Sequence, residues 1–150
     1  MKKTFLKFAL CVAAILVLLP TGKSHTKNYA TTVVHKVSLT SQTTVPTSII
    51  TIYSPSADET SDFRVSVYIS APTQSPGGSA GVAIYWTDEN GAANQGCSSN
   101  FSVGISGSQY GAVQNSGTCV LHTGSGQSIS YQVTGSGTIT YDLFITVEEL

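Results

Sequence analysis

Residues 63–70 have the sequence FRVSVYIS, in which apolar and polar side chains alternate. A β-strand points successive side chains to opposite faces, so this alternation predicts a strand with one apolar and one polar face. The same alternation recurs in 81–87, 100–106, 129–133 and 139–147. The apolar positions are Phe63, Val65, Val67, Ile69, Val82, Ile84, Trp86, Phe101, Val103, Ile105, Ile129, Tyr131, Val133, Ile139, Tyr141, Leu143, Ile145 and Val147. We expect these side chains to form one shared core.

Turn-forming residues separate the alternating segments. Gly and Ser cluster at 104–108, 124–126 and 135–137, and Asn90-Gly91 is typical of a hairpin turn with positive φ at both residues. Residues 49–53 and 118–122 are two further candidate strands. About eight short strands without a helical period predict an all-β antiparallel sandwich, either jelly-roll-like or immunoglobulin-like.

The first 24 residues resemble a secretory leader. Lys2, Lys3 and Lys7 precede the apolar run 8–19, which is too short to cross a bilayer as a helix. This pattern predicts a signal peptide over 1–24, with cleavage before His25. We therefore expect an extracellular protein that keeps no membrane-spanning segment.

Removing that leader changes the charge and the cysteine count. Three basic and eight acidic residues remain, a net charge of −5, which argues against a nucleic-acid partner. Cys97 and Cys119 are the two cysteines left, and an even pair in an exported chain predicts a disulfide. A redox pair or half of a metal site is the alternative, and no cofactor is expected.

Residues 25–47 form a threonine-rich arm ahead of the predicted domain over 48–150. Alternation from Val33 to Leu39 predicts a strand. It is either the first strand of the sandwich or a strand donated to the next subunit, since an open sheet edge accepts an added strand.

Several side chains are candidate metal ligands. Asp58, Glu59 and Asp62 could hold calcium, or they form a solvated acidic loop. His25 could chelate copper as a new N-terminus, with His35 or His122 as second ligand, or it is a frayed end. No carboxylate is expected near His35 or His122, so no catalytic triad is predicted.

Two tyrosines are candidate glycan contacts. Tyr68 and Tyr85 lie opposite the apolar positions of their strands, and on adjacent strands they would form one outer aromatic patch. The alternative is that both sheet faces are partly covered and these rings pack at the rim. Asn100-Phe101-Ser102 is an N-glycosylation sequon, which makes Asn100 a candidate modification site.

Three segments carry a resemblance to known proteins: 63–68, the segment 84–91 with its Trp-Thr-Asp, and the terminal Ile139–Leu150. They resemble uncharacterised β-sandwich proteins of environmental bacteria and tailed phages over about residues 60–150. That resemblance implies a fibre or surface component with no catalytic residues. The leader and the Cys97/Cys119 pair depart from the phage proteins and favour an exported cellular protein.

These observations predict a secreted, non-enzymatic structural protein that self-assembles into a homo-oligomer or filament, polymerising by strand donation. One alternative is a glycan-binding or adhesion module. The other is a copper-binding enzyme that uses His25.

Overall fold

The computed structural model describes residues 30–46, 48–57, 61–72, 77–96, 101–105 and 113–150. Nine β-strands lie in these ranges, and none of the described segments forms a helix long and apolar enough to cross a membrane. The strands are β1 (Thr32–Gln42), β2 (Ile50–Tyr53), β3 (Ser61–Ala71), β4 (Gly78–Thr87), β5 (Ala93–Gly96), β6 (Ser102–Ile105), β7 (Val113–Thr123), β8 (Ile129–Gly137) and β9 (Tyr141–Glu149).

The strands form two antiparallel sheets. Sheet A has the order β1-β9-β3-β7, and sheet B has the order β2-β8-β4-β5, with β6 pairing with another part of β4. The pairs are nested along the chain: β1 with β9, β2 with β8, β3 with β7, and β4 with β5 and β6. Successive strands from β1 to β4 change sheet, whereas the first two strands of an immunoglobulin domain pair within one sheet. The predicted all-β sandwich is therefore confirmed, and its topology is that of a jelly roll.

The core lies between the two sheets, where the alternating apolar residues meet. Phe63, Val65 and Ile69 of β3 are completely buried, as are Leu143 and Val147 of β9. Opposite them, sheet B contributes buried side chains from β4 and β8. Burying one such aliphatic or aromatic side chain contributes roughly 1.5–3 kcal/mol, so these alternating faces are what hold the sheets together. The sequence prediction of the inward-facing positions is confirmed for the described side chains, with Trp86 only half-buried, and the prediction for the side chain of Ile105 lies outside them.

Some strand boundaries differ from the prediction. β7 begins at Val113 instead of residue 118, although Asn115 and Gly117 are weak strand formers. Its pairing with β3 runs without a register shift from Ser61–Thr123 to Ala71–Val113, so the partner strand imposes the extended conformation. β5 has no alternating pattern and was not predicted at all.

The turn after β4 forms, but not as the sequence predicts. Of Asn90 and Gly91, only Gly91 has a positive φ, at 75°. The Gly91 amide donates to the Asp88 carbonyl at 3.1 Å, and the Asp88 carboxylate accepts hydrogen bonds from the amides of Asn90 and Ala92. The prediction of a two-residue turn with positive φ at both positions is therefore wrong, because Asp88 stabilises a longer turn that needs only one glycine.

A close approach joins β7 to the segment that carries β6. Gly117 pairs with Val67 and shares its inward face. A Cβ placed on Gly117 would lie 2.3 Å from Cε1 of Phe101, whose side chain is almost fully buried. The missing side chain of Gly117 therefore leaves the space that the Phe101 ring occupies.

Gly117→Ala is expected to lower the free energy of unfolding by about 1–3 kcal/mol, because the buried ring would have to move within a packed core. Urea-induced unfolding measures the change. Gly104→Ala is the matched control, since the nearest atom to its Cβ would be the Gly78 carbonyl oxygen at 3.9 Å. Equal stabilities of the two variants would show that Phe101 does not depend on the space at Gly117.

Candidate functional site

The outer face of sheet A carries a cluster of aromatic and hydroxyl side chains at the centre of the sheet. Tyr68 on β3 lies opposite Phe144 on β9 and Ser116 on β7. One step along the strands, Ser66 lies opposite Thr146 and Thr118. Directly opposed residues of antiparallel strands share a face, so register alone brings these side chains together. We call this surface the aromatic patch, consisting of Ser66, Tyr68, Ser116, Thr118, Phe144 and Thr146.

The two rings of the aromatic patch are in contact and open to solvent. Their centroids are 6.0 Å apart with planes inclined at 49°. Tyr68 is 37% exposed and Phe144 38% exposed, which is unusual for rings of this size. The Tyr68 hydroxyl donates to Oε1 of Gln114 at 2.8 Å, which holds the ring in place. A shallow groove of about 300 Å³ runs along the patch.

Charged side chains lie beside the patch on this face: Arg64 of β3, Glu148 of β9, and Lys36 of β1, which is directly opposite Thr146. Arg64 lies opposite Glu148, and Nη1 of Arg64 is 3.5 Å from Oε2 of Glu148. An exposed pair of this kind contributes little to stability, on the order of 0–1 kcal/mol. The residues that line the groove itself carry no charge.

Tyr85 lies elsewhere in the molecule. It belongs to β4 of sheet B, whereas Tyr68 belongs to β3 of sheet A. The Tyr85 hydroxyl donates to Oε1 of Gln132 at 2.9 Å on the outer face of sheet B. The expected single patch of Tyr68 and Tyr85 is therefore wrong, because successive strands of a jelly roll belong to different sheets. The aromatic neighbour of Tyr68 is Phe144, which follows from the register of β3 with β9 and was not predicted.

His122 lies between two carboxylates at one end of sheet A. Its Nδ1 is 2.7 Å from Oδ1 of Asp62, the residue directly opposite on β3. Its Nε2 is 3.7 Å from Oε2 of Glu89, in the turn after β4. The hydrogen bond to Asp62 and the charges of both carboxylates raise the pKa of His122 above 6.5, although desolvation opposes them. The expectation that no carboxylate lies near His122 is therefore wrong.

Of the candidate metal ligands, the structure describes Asp62, His35 and His122. Asp58, Glu59 and His25 lie outside the described residues, so the calcium and copper hypotheses stay predictions. Asp62 is bonded to His122, and His35 is exposed on β1 opposite Val147. Within the part of the chain that the structure describes, no group of three or more His, Cys, Asp or Glu side chains is placed to hold a metal ion.

Cys119 is disulfide-bonded. It lies on β7 opposite Val65 and packs, half-buried, against the core. Cys97 lies outside the described residues, and so does Asn100, so the predicted pairing and the glycosylation site stay predictions.

β1 is the edge strand of sheet A, formed from the predicted arm. It pairs with β9 of the same chain, with register shifts after Val33 and after Leu39. None of its eleven side chains is fully buried, although Val34, Val37 and Leu39 pack against the core. Within the second irregularity Ser41 has a φ of 53°, and its amide donates to Oδ1 of Asp142 at 2.7 Å. Among the described strands, β1 thus pairs with β9 alone, and its inward aliphatic side chains pack against the core.

Comparisons with known proteins place the chain in no family. No family profile matches the sequence, and neither does any curated protein. Among solved structures it is similar to Eiger TNF from S. frugiperda, with a TM-score of 0.43 and 10% identity over 77% of this chain and 85% of that one. The capsid of Helicobacter pylori bacteriophage KHP30 matches with a TM-score of 0.38 and 10% identity over 81% and 94% of the two chains. A chain of infectious bursal disease virus, Gx strain, matches with a TM-score of 0.41 and 14% identity over 79% of this chain and 32% of that one.

The His122 ring is expected to titrate with a pKa above 6.5, and Asp62→Asn should lower this pKa by removing its closest acceptor. Glu89→Gln should lower it less, because the distance to Glu89 is longer. Because the pKa of His122 is raised in the folded state, the protonated ring stabilises the fold. This stabilisation is fully present below the pKa of the unfolded state and is lost as the pH rises through the pKa of the folded state. NMR titration of the ring protons measures each pKa.

The stability consequence is checked by unfolding the protein at pH values below and above the measured pKa. His122→Gln should remove this part of the pH dependence, whereas His35→Gln, which removes an exposed histidine of β1, should retain it. A wild-type pKa at or below 6.5 would contradict the arrangement of the three side chains.

Proposed function

We propose that the protein is an exported, non-enzymatic structural subunit that assembles with copies of itself into an extracellular fibre or surface layer by exchanging β1. The observation that supports this most is the position of β1 at the edge of sheet A among the described strands. The strand is bonded to β9 along one edge and has no fully buried side chain. Each half-buried aliphatic residue on it contributes on the order of 1 kcal/mol, so its detachment disturbs the core little.

Exchange requires that another copy offers the same site. When β1 leaves, the edge of β9 is open, with the backbone groups that paired with residues 32–42. Main-chain hydrogen bonds do not distinguish the chain that supplies the strand, so β1 of a second copy restores the same contacts. If each copy donates to the next, a linear assembly results.

The end of β1 is suited to act as the hinge of such an exchange. The left-handed conformation of Ser41 costs a non-glycine residue roughly 1–2 kcal/mol. The connector beyond it is held in place, because the buried Tyr141 donates its hydroxyl to the Thr44 carbonyl at 3.1 Å and Val45 packs against the core. We infer that the chain changes direction at residues 41–42 while the connector stays in place.

Export is part of the same proposal. It is supported by the predicted leader over 1–24 and by the disulfide at Cys119, since structural disulfides persist in oxidising compartments. A subunit outside the cell is stabilised by such a covalent bond whatever the size of its hydrophobic core.

The proposal predicts that locking β1 to its own β9 abolishes assembly. Lys36 and Thr146 are directly opposed and belong to the outer face, so Lys36→Cys with Thr146→Cys would close a bridge without changing the core. The mature wild-type chain is expected to form oligomers whose mass rises with concentration. The bridged variant is expected to stay monomeric, as measured by size-exclusion chromatography with light scattering.

The matched control is Lys36→Ser with Thr146→Ser, which changes the same two positions without closing a bridge and should assemble like the wild type. Assembly of the bridged variant to the same extent as this control would rule out exchange of β1. A wild-type chain that stays monomeric up to its solubility limit would rule out self-assembly itself.

A further inference from the structure

The aromatic patch has the composition of a binding surface. Its two exposed rings lie in the middle of a sheet, with Ser66, Ser70 and Thr146 at three of the four neighbouring outward positions along β3 and β9 and Asp142 at the fourth. Exposed, touching rings leave apolar area in water that gains free energy when covered. The tilt of 49° between the two rings gives the groove two inclined apolar walls.

The polar groups around the rings are hydroxyls and one amide. Ser66 and Thr118 carry hydroxyls 3.2 Å apart, and Ser116 and Thr146 add two more at the borders of the groove. Gln114 accepts from the Tyr68 hydroxyl through Oε1, and its side chain also carries two amide N–H donors. Such groups both donate and accept hydrogen bonds, and they match a ligand that is itself rich in hydroxyls.

Charge and size narrow the class of ligand. The residues that line the groove include no charged side chain, and Arg64 is paired with Glu148 beside it. Lys36 of β1 lies beside the groove, opposite Thr146, so a charged probe in the test separates an anionic from a neutral ligand. A stable protein partner needs roughly 20–30 residues on each side, which is more than the patch provides. A groove of about 300 Å³ is at the lower end of the range for small-ligand sites.

We propose that the aromatic patch binds a neutral carbohydrate chain, with one sugar ring against Tyr68 and Phe144 and its hydroxyls bonded to Ser66, Ser116, Thr118 and Gln114. A pyranose has an apolar C–H face and a rim of hydroxyls, which corresponds to the arrangement of rings and polar groups in the groove. The Tyr68–Gln114 bond fixes the ring before binding, which reduces the entropy lost. The site does not depend on whether β1 is exchanged between subunits.

The test uses the full mature chain and neutral hexasaccharides of glucose, xylose and mannose, with a uronic-acid hexasaccharide as the charged probe. Titration calorimetry measures affinity, and NMR shift changes identify the amides that respond. At least one neutral probe is expected to bind and to shift residues of the aromatic patch. Tyr68→Leu and Phe144→Leu should each weaken that binding about tenfold or more, in line with the loss of one ring contact.

Tyr85→Leu is the matched control. It removes an outward tyrosine that also donates to a glutamine, but on the opposite sheet, and it should leave the affinity unchanged. Unfolding curves of all three variants establish that they are folded. If a leucine variant does not fold, Tyr68→Phe and Gln114→Leu test the same polar contacts, and each should weaken binding.

Four results would overturn the proposal. They are no binding of any neutral probe, binding of the charged probe alone, equal affinity in the wild type and the patch variants, and a loss of self-association instead of glycan binding in those variants. The last result would assign the patch to contact with a second copy of the chain. Patch variants that lose glycan binding but still assemble would show that this site acts independently of the exchange of β1. A bridged β1 variant that stays monomeric but still binds the glycan would show the same.

Discussion

β3 and β9 pair antiparallel without a register shift from Phe63–Glu149 to Ser70–Asp142, and this pairing positions both faces of sheet A. On the inner face it places Val65 beside Val147 and Val67 beside Ile145, which builds the centre of the core. On the outer face the same register places Tyr68 beside Phe144. A slip of β9 by one residue would turn its side chains to the other face, which would remove Val147 and Ile145 from the core and Phe144 from the aromatic patch together.

β9 lies between β3 and β1, and these two neighbours differ in how many strands they pair with. β3 is buried along its inner face and paired on both edges, with β9 and with β7. β1 is paired along one edge and contains two register shifts. β3 is thus held by pairing on both edges and by a buried face, whereas β1 is held mainly by its pairing with β9. This difference is the physical basis for proposing that β1 is exchanged while β3 and β9 stay together.

The sequence predicts which residues face inward, because the period of two is a local property of each strand. It does not predict which strands are neighbours, since that depends on how the chain passes between the sheets. Tyr68 and Tyr85 lie on consecutive strands, β3 and β4, yet these strands belong to opposite sheets. The Asp62–His122 bond and the close approach of Gly117 to Phe101 likewise join residues from different strands, and neither has a local sequence signal. A register between β3 and β7 would have revealed the first, because both residues face outward at opposed positions.

Residue-resolved hydrogen exchange tests most directly whether β3 and β9 form the permanent centre and β1 a detachable edge. We expect that amides of β9 bonded to β3 exchange only through global unfolding, whereas amides of β1 exchange through a local opening of lower free energy. That opening should depend less on denaturant than global unfolding does, because it exposes less surface. Protection of the β1 amides equal to that of β3, with the same denaturant dependence, would show that β1 does not detach as a separate edge.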